Sequence, residues 1–208
     1  MITKQKSKIK HQALHDADQL APEFLLVAYC HGYFPMAESR TGPVHWYSPD
    51  PRAILELQQF RVSRSLHQAL KKNLYEVRVD SSFETVIRSC GARGESWISE
   101  EIVRAYTHLC RMGYAHSVES WRGDELAGGL YGVSIGGAFF GESMFHREVH
   151  ASSYALVFLV ERLLDRGFEL LDIQFMTDHF ARLGAVEIPR EDYLARLRRA
   201  VRKPCSFG

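Results

Sequence analysis

The sequence predicts an α+β fold in which helices pack over a mixed, mostly antiparallel sheet. Between residues 115 and 145, three segments have the pattern of strands joined by tight turns. A strongly apolar helical segment and one further apolar strand follow them. A strand meander followed by a helix and a separate strand is typical of this fold class. The chain has 208 residues, 46% of them hydrophobic, which is enough to bury a core.

The first sixty residues are predicted to form a small α/β lobe, and residues 61–208 a larger domain. An amphipathic helix begins in "APEFLLVAYCHGYF" and is stopped by Gly32 and Pro35. Residues 34–51 are rich in proline, glycine and aromatic residues, which predicts a rigid loop system with one short strand at most. A strand is then predicted for "AILEL".

Three helices and one strand are predicted between the lobe and the strand-rich half of the chain. Helical spacing begins in "RVSRSLHQALKKN", where Ser63 or Ser65 is the expected N-cap. Alternation predicts a strand for "YEVRVD", and the pattern then predicts a helix for "SSFETVIRSCG", closed by Gly91. The next helix is predicted for "SEEIVRAYTHLCRMG", with Ser99 as N-cap and Gly113 at its end.

The strand-rich half of the chain follows these helices. Its three strands are "AHSVESW", "ELAGGLYGVSIG" and "AFFGESMF", with turns at "RGDE" and "GG". A helix in "ASSYALVFLVERLLDRG" precedes a strand at residues 169–175. The last predicted elements are a short helix in "TDHFARLGA", capped by Thr177 or Asp178, and a helix in "PREDYLARLRRAVRK".

Composition argues against several classes of protein. The net charge of +1 does not indicate binding to nucleic acid or to a membrane through overall charge. No apolar run approaches the roughly 20 residues of a membrane helix, and the basic N-terminus lacks the apolar region of a secretory signal. The four cysteines show neither close pairing nor metal-binding spacing, which predicts reduced thiols in a cytoplasmic protein. Without a phosphate-binding glycine loop or zinc spacing, neither a cofactor nor a metal is expected.

Two acidic residues occur in otherwise apolar strands. Asp172 and Gln174 are two residues apart and are predicted to point to the same face. Glu142 is predicted to share a strand face with Phe140 and Met144. An unpaired buried carboxylate costs several kcal/mol or becomes neutral. Either both acids are satisfied in the core by backbone or arginine, or they form a site for a cationic amine beside an apolar cleft.

Large apolar and basic residues supply further candidates. Met36, Trp46 and Trp97 lie in segments predicted to be loops or to precede a helix, where such side chains often line a pocket. Most of the other large apolar residues are expected to pack in the core. Basic residues cluster on or beside one predicted helix and form either a solvated face or a phosphate-binding surface. They are Arg61, Arg64, Lys71 and Lys72.

Several long motifs occur in order between residues 24 and 195. They are "FPMAESR", "WYSPDPRAIL", "SRSL", "SWISEEIVRAY", "GYAHSVESW", "GGLYGVSIGGAFFGESMF", "DIQF" and "GAVEIPREDYL". Together they resemble the leucyl/phenylalanyl-tRNA–protein transferase family. The resemblance implies a small N-terminal domain beside a GNAT-like acyltransferase domain. It implies transfer of Leu or Phe, and Met less well, from aminoacyl-tRNA to proteins with an N-terminal Arg or Lys, which makes an N-degron for Clp-dependent degradation.

The resemblance also implies roles for individual residues. Asp172 and Gln174 match the family's catalytic Asp-x-Gln, and Glu142 matches the acid of its "GESMF" motif. We expect the Gln174 side-chain oxygen to hold the attacking amine, Asp172 to orient that amide, and Glu142 to attract the cationic acceptor. Residues implied to bind the aminoacyl-adenosine or to form its apolar pocket are Met36, Trp97, Tyr106, Phe140 and Met144. The helix after "SRS" matches the family's tRNA-contacting helix.

Three features depart from the family pattern. Met36 stands where many members have Trp, a change expected to retune side-chain preference. Ser153 stands where many have Lys, and "LHDADQLAPEFLL" replaces the usual "GLLA-GG-L" segment. Two alternatives stay open: an acyl-CoA-dependent N-acyltransferase and a tRNA-binding adaptor without catalysis. The first would need a glycine loop that binds pyrophosphate, and the segment "HREVHASSYAL" contains none. A monomer is expected.

Overall fold

The computed structural model describes residues 20–92 and 96–208. The helices are α1 (Pro22–Cys30), α2 (Arg64–Lys71), α3 (Phe83–Gly91), α4 (Glu100–Arg111), α5 (Ala151–Asp165), α6 (Asp178–Arg182) and α7 (Arg190–Ala200). The strands are β1 (Phe34–Ala37), β2 (Val44–Tyr47), β3 (Arg52–Leu55), β4 (Glu76–Val79), β5 (Ala115–Arg122), β6 (Glu125–Ile135), β7 (Ala138–His146), β8 (Leu170–Gln174) and β9 (Ala185–Ile188). The basic N-terminal stretch lies outside the described residues.

Seven strands of the described chain form one mixed sheet in the order β4-β5-β6-β7-β8-β3-β9. β7 and β8 pair in parallel, whereas the other neighbours pair antiparallel. β1 and β2 form a separate antiparallel pair. The predicted α+β class, with a mixed and mostly antiparallel sheet flanked by helices, is therefore confirmed. The GNAT-like assignment stays a prediction.

Local capping signals place several helix starts where the sequence predicts them. The side chains of Ser63, Ser99 and Thr177 accept hydrogen bonds from backbone N–H groups in the first turns of α2, α4 and α6. These bonds satisfy donors that the first turn of a helix cannot satisfy internally. Of the alternatives left open by the sequence, Ser63 and Thr177 are the N-caps.

Two features of the strand pattern were not predicted. The segment expected to be loop with one short strand contains two strands, β1 and β2. No strand is predicted at residues 185–188, where β9 forms by pairing with β3. β3 precedes the predicted domain boundary at residue 60, yet it hydrogen-bonds to β8 and β9 inside the large sheet. The division into residues 1–60 and 61–208 stays a prediction.

Helices cover both faces of the sheet and bury two hydrophobic clusters. The first cluster contains residues from α1, α3, α4 and α7, such as Tyr29 and Tyr106, and the sheet contributes Phe140. The second cluster lies under α5 and contains Leu159, with Phe139 from the sheet. Neighbouring residues of β7 therefore enter opposite clusters, as strand alternation requires.

A β-bulge interrupts this alternation in the middle of β7. On β6, Gly132 is opposite Gly141 and Tyr131 is opposite Ser143, so that Glu142 is the extra residue on β7. After the bulge the faces are exchanged, and Met144 packs against the second cluster instead of the first. The prediction that Glu142 and Met144 share a face with Phe140 is therefore wrong for Met144, because the bulge adds one residue.

The described helices and cysteines bear on membrane spans and disulfide bonds. Within residues 20–92 and 96–208, the helices all fall short of the length and apolar character needed to cross a membrane. Within the part of the chain that the structure describes, no disulfide bond joins Cys30, Cys90, Cys110 or Cys205 to another cysteine.

The bulge brings two glycines opposite each other, and only one of them requires glycine. A Cβ atom at Gly132 would overlap the carbonyl oxygen of Phe140 and the ring of Phe139. A Cβ atom at Gly141 would have its nearest neighbour, the carbonyl oxygen of Asp172, at 3.6 Å. The close contact at Gly132 therefore fixes the separation of β6 from β7.

Gly132→Ala is expected to lower the free energy of unfolding by about 2–3 kcal/mol, because overpacking forces the backbone of β7 to shift. Gly141→Ala is the matched control and should change it by less than about 1 kcal/mol. Urea unfolding of both variants measures the difference. Equal effects at the two positions would contradict this account of the bulge.

Candidate active site

A cavity of about 720 Å³ opens where β7 and β8 cease to pair. The two strands pair only from Ala138 and Leu170 to Phe140 and Asp172. Beyond that point β7 continues through the bulge and β8 ends. Large apolar side chains dominate the walls of the cavity and include Phe34, Met36, Trp97, Met144, Leu159 and Ile173. Such walls fit a large apolar group.

Glu142, at the bulge, is the carboxylate that lines this cavity. The Tyr29 hydroxyl donates to Glu142 Oε1 at 2.7 Å, and Tyr29 is itself hydrogen-bonded to the Tyr106 hydroxyl. Burial raises the pKa of Glu142 to about 8; the bond from Tyr29 opposes this rise, and the charge of Asp172 adds to it. Near neutral pH Glu142 therefore exchanges between neutral and ionised forms.

Glu142 and Gln174 form the part of the lining that is called here the cavity floor. Asp172 lies behind this floor and is paired with an arginine. Arg52 donates from Nε to Asp172 Oδ1 at 2.9 Å and from Nη2 to Oδ2 at 2.5 Å. The two side chains are 1% and 0% exposed, and the Tyr193 hydroxyl adds a 2.8 Å bond to Asp172 Oδ2. Burial acts to lower the pKa of Arg52, but the charge of Asp172 raises it above its ordinary value. For Asp172, the interpretation as a core acid satisfied by arginine is the one that the structure supports.

Gln174 ends β8 in a left-handed backbone conformation, with φ of 60°. A residue other than glycine rarely adopts this conformation, which costs on the order of 1–3 kcal/mol. Its backbone N–H donates to Asp172 Oδ1 at 2.9 Å, which holds the residue in place. Its side-chain Nε2 donates to Glu142 Oε1 at 3.4 Å. Asp172 therefore orients the backbone of Gln174. The side-chain amide of Gln174, which the sequence predicts to be oriented by Asp172, contacts Glu142 instead.

The structure brings five of the predicted site residues to one cavity. The predicted residues that line it are Met36, Trp97, Glu142, Met144 and Gln174. Asp172, Tyr106 and Phe140 are completely buried and lie outside the lining, and their parts in catalysis or substrate binding stay predictions. Tyr106 instead supports Tyr29, and Phe140 packs against the Tyr29 ring with centroids 4.8 Å apart.

The basic residues predicted to bind tRNA lie on the surface. Arg64 and Lys71 are the first and last residues of α2, and Lys72 is its C-cap. Arg61 precedes this helix and lines a second, smaller cavity. All four side chains are exposed.

Sequence reasoning missed several residues that build the site. Arg52 ends the segment predicted to be a loop and has no predicted role, and a cation immediately before the apolar run "AIL" is the signal that could have identified it. Tyr29 and Tyr193 were placed in helices without a role. Tyr131 lines the cavity, and its buried hydroxyl has no hydrogen-bond partner within the described parts of the chain. Buried hydroxyl groups without a partner are rare in native structures, which makes this position of the cavity wall unusual.

The raised pKa of Glu142 predicts a specific pH dependence of stability. This carboxyl group ordinarily ionises near 4.5, and it ionises at about 8 in the folded protein. Between these values the folded state binds more protons than the unfolded state, so stability falls as pH rises. Relative to Glu142→Gln, the wild-type protein should lose up to about 1.4 kcal/mol of unfolding free energy per pH unit across this range.

Urea unfolding of both proteins across this pH range measures the effect. Glu125→Gln, at an exposed position on β6, controls for the general effect of removing a glutamate charge. A difference between wild type and Glu142→Gln that does not change with pH would contradict the raised pKa.

Comparison with known proteins gives matches along nearly the whole described chain. Residues 54–198 match the family model "Leucyl/phenylalanyl-tRNA protein transferase", and residues 18–50 match the model of its N-terminal domain. A leucyl/phenylalanyl-tRNA–protein transferase of Gloeobacter violaceus is 53% identical over 188 residues, which cover 90% of this chain and 97% of the relative. One of Rubrobacter xylanophilus is 54% identical over 191 residues, which cover 91% and 100%.

A solved structure of L-PGS from Bacillus licheniformis gives a weaker match, at 15% identity and a TM-score of 0.41, covering 76% of this chain and 55% of that one. A likeness at this level supports no argument about the site. The two family models, by contrast, cover all the residues that line the cavity. This chain belongs to the leucyl/phenylalanyl-tRNA–protein transferase family.

Proposed function

We propose that this protein transfers Leu or Phe, and Met less readily, from aminoacyl-tRNA to the α-amine of proteins that begin with Arg or Lys. The names of its relatives support the reaction class and the donor. The observation that carries the proposal is an apolar cavity with Glu142 and Gln174 at its floor. This combination suits a large apolar aminoacyl group beside a cationic amine.

The donor side chain would occupy the apolar part of the cavity. Met36, Trp97 and Met144 supply its walls, and Met36 is flexible enough to adapt to Leu, Phe or Met. An aminoacyl ester is already activated toward amines. Catalysis therefore consists mainly of holding donor and acceptor together and stabilising the charges that develop.

Gln174 would hold the attacking amine. Because its Nε2 donates to Glu142, its side-chain oxygen is left to accept a hydrogen bond from the α-amine. Asp172 would act as a positioning residue, since it contacts the Gln174 backbone and lies outside the cavity lining.

Glu142 would receive a proton from the acceptor. A peptide α-ammonium has a pKa of about 7.7–8.0. The pKa of Glu142, about 8, is close to that value, so the proton moves between the two groups at little free-energy cost. The free amine then attacks the ester carbonyl carbon, an amide bond forms, and the bond from that carbon to the ribose oxygen breaks. The ribose oxygen takes up the proton that the amine loses.

The wider role follows from the same resemblance. We infer that the product is an N-degron for Clp-dependent degradation and that the protein acts in the cytoplasm as a monomer without a cofactor. Residues 61–208 would form the GNAT-like acyltransferase domain. The exposed basic residues of α2 would contact the donor tRNA.

The proposal is tested with labelled Phe-tRNA and peptides that differ only in their first residue. We expect transfer to peptides that begin with Arg or Lys and none to a peptide that begins with Glu. Gln174→Ala should lower kcat/KM by at least about tenfold, because the hydrogen bond to the amine is lost. Gln58→Ala is the matched control at an exposed position outside the cavity. Absence of transfer by the wild-type protein, or full activity of Gln174→Ala, would contradict the proposal.

A further inference from the structure

We propose that the smaller cavity beside the active site binds the phosphodiester group that precedes the terminal adenosine of the donor RNA. This cavity, called here the basic cavity, has a volume of about 350 Å³. Its lining includes Arg61, Ser153, His150, His179 and Arg182. The inference rests on the proposed function, because it concerns the same donor.

The charge of the basic cavity suits a phosphate group. Two guanidinium groups and two imidazoles line it, and none of its described lining residues is acidic. Within residues 20–92 and 96–208, no ion pair joins Arg61 or Arg182 to a carboxylate. Arg196, by contrast, pairs with Glu56. Unpaired guanidinium groups can bind phosphate oxygens through two parallel hydrogen bonds.

The basic cavity lies next to the large cavity, and the two share part of their lining. His150, Ser153 and His179 line both. In an aminoacyl-tRNA the aminoacyl group is attached to the terminal ribose, and the phosphodiester is attached to the other side of that ribose. If the amino acid of the donor fills the large cavity and its ribose lies at the shared wall, its phosphodiester reaches the basic cavity.

The two arginines project from segments that are held against each other. The Arg61 backbone N–H donates to the Leu183 carbonyl oxygen at 2.9 Å, which joins the chain before α2 to the end of α6. Gly184 allows this approach, since a Cβ atom there would lie 2.7 Å from the Gln59 carbonyl oxygen. Arg61 and Arg182 thus start from fixed backbone positions on two sides of one opening.

The shared wall contains a polar atom without a partner. His179 Nε2 is buried and forms no hydrogen bond with any described residue. Burial lowers the pKa of His179, and the neighbouring Arg182 lowers it further, which favours the neutral imidazole. A neutral imidazole that carries its proton on Nε2 can donate it to a phosphate oxygen.

The test compares two minimal donors that differ by one phosphodiester. One is the phenylalanyl ester of adenosine, and the other is the phenylalanyl ester of the dinucleotide cytidylyl-(3′→5′)-adenosine. Arg182→Ala should raise KM for the dinucleotide donor about tenfold, because one charge-assisted contact with the phosphodiester is lost. It should change KM for the adenosine donor less than twofold. Arg182→Lys should recover part of the loss, because a charge is restored without the two parallel bonds.

Salt dependence provides a readout that a purely structural role would not change. Each phosphate contact with a single strand contributes about −0.7 to the slope of log affinity against log salt concentration. Arg182→Ala should reduce this slope for the dinucleotide donor. Arg198→Ala is the matched control, because Arg198 is exposed on α7 and lines neither cavity.

The outcomes separate this inference from the proposed function. If wild type transfers Phe but Arg182→Ala affects both donors equally, affects neither, or changes KM only for the acceptor peptide, the inference is overturned and the function stands. If wild type transfers Phe from no donor, including complete Phe-tRNA, the proposed function fails and the inference fails with it.

Discussion

Arg52 and Asp172 form an ion pair that is almost completely removed from solvent. The pair joins β3 to β8, and Tyr193 on α7 donates a further hydrogen bond to the carboxylate. Moving two charges out of water costs several kcal/mol per ion, and the attraction between them offsets this cost only when the geometry is good. The guanidinium group of Arg52 also lies 4.5 Å from the centroid of the Tyr193 ring, and this cation–π contact stabilises its charge further. The pair therefore serves to fix the arrangement of these strands more than to add stability.

The most important consequence concerns the two carboxylates of the site. Asp172 has its arginine, the Tyr193 hydroxyl and the Gln174 backbone N–H as partners. Glu142 has the hydroxyls of Tyr29 and Tyr106 and a longer bond from the Gln174 amide. The charge of Asp172 is thus held in place behind the floor, and it helps to raise the pKa of Glu142. These different environments suit the two acids to the different roles proposed for them, Asp172 as a positioning residue and Glu142 as a group that exchanges a proton.

The sequence predicted most of the fold because its signals are local. Serine and threonine caps, alternation and glycine ends identify α2, α4, α6 and the meander β5–β7 from neighbouring residues alone. β9 could not be found this way, since a four-residue strand depends on pairing with β3. The bulge at Glu142 could not be predicted from the sequence either. Simple alternation along the strand puts Met144 on the same face as Phe140, whereas the extra residue of the bulge moves Met144 to the other face.

The site was also predicted only in part, because the sequence signals are local and several contacts of the site join distant residues. Polar residues in the apolar strand identified Asp172 and Gln174, and the motif around Glu142 identified the second acid. Arg52 lies 120 residues from its partner, so the pairing that explains Asp172 depends on the fold. Burial of Tyr106 and Phe140 is likewise a property of packing, which assigns them to support the floor instead of lining the cavity.

The central claim is that Asp172 acts on the reaction mainly by holding the backbone of Gln174 in place. A double-mutant cycle of Asp172→Asn and Gln174→Ala tests it most directly, with kcat/KM for Phe transfer as the measured quantity. Circular dichroism and thermal unfolding establish the temperature at which all four proteins are folded. The account predicts that Asp172→Asn changes kcat/KM less than about twofold once Gln174 is already alanine. Losses that multiply in the double variant would show that Asp172 acts independently of Gln174 and would contradict the account.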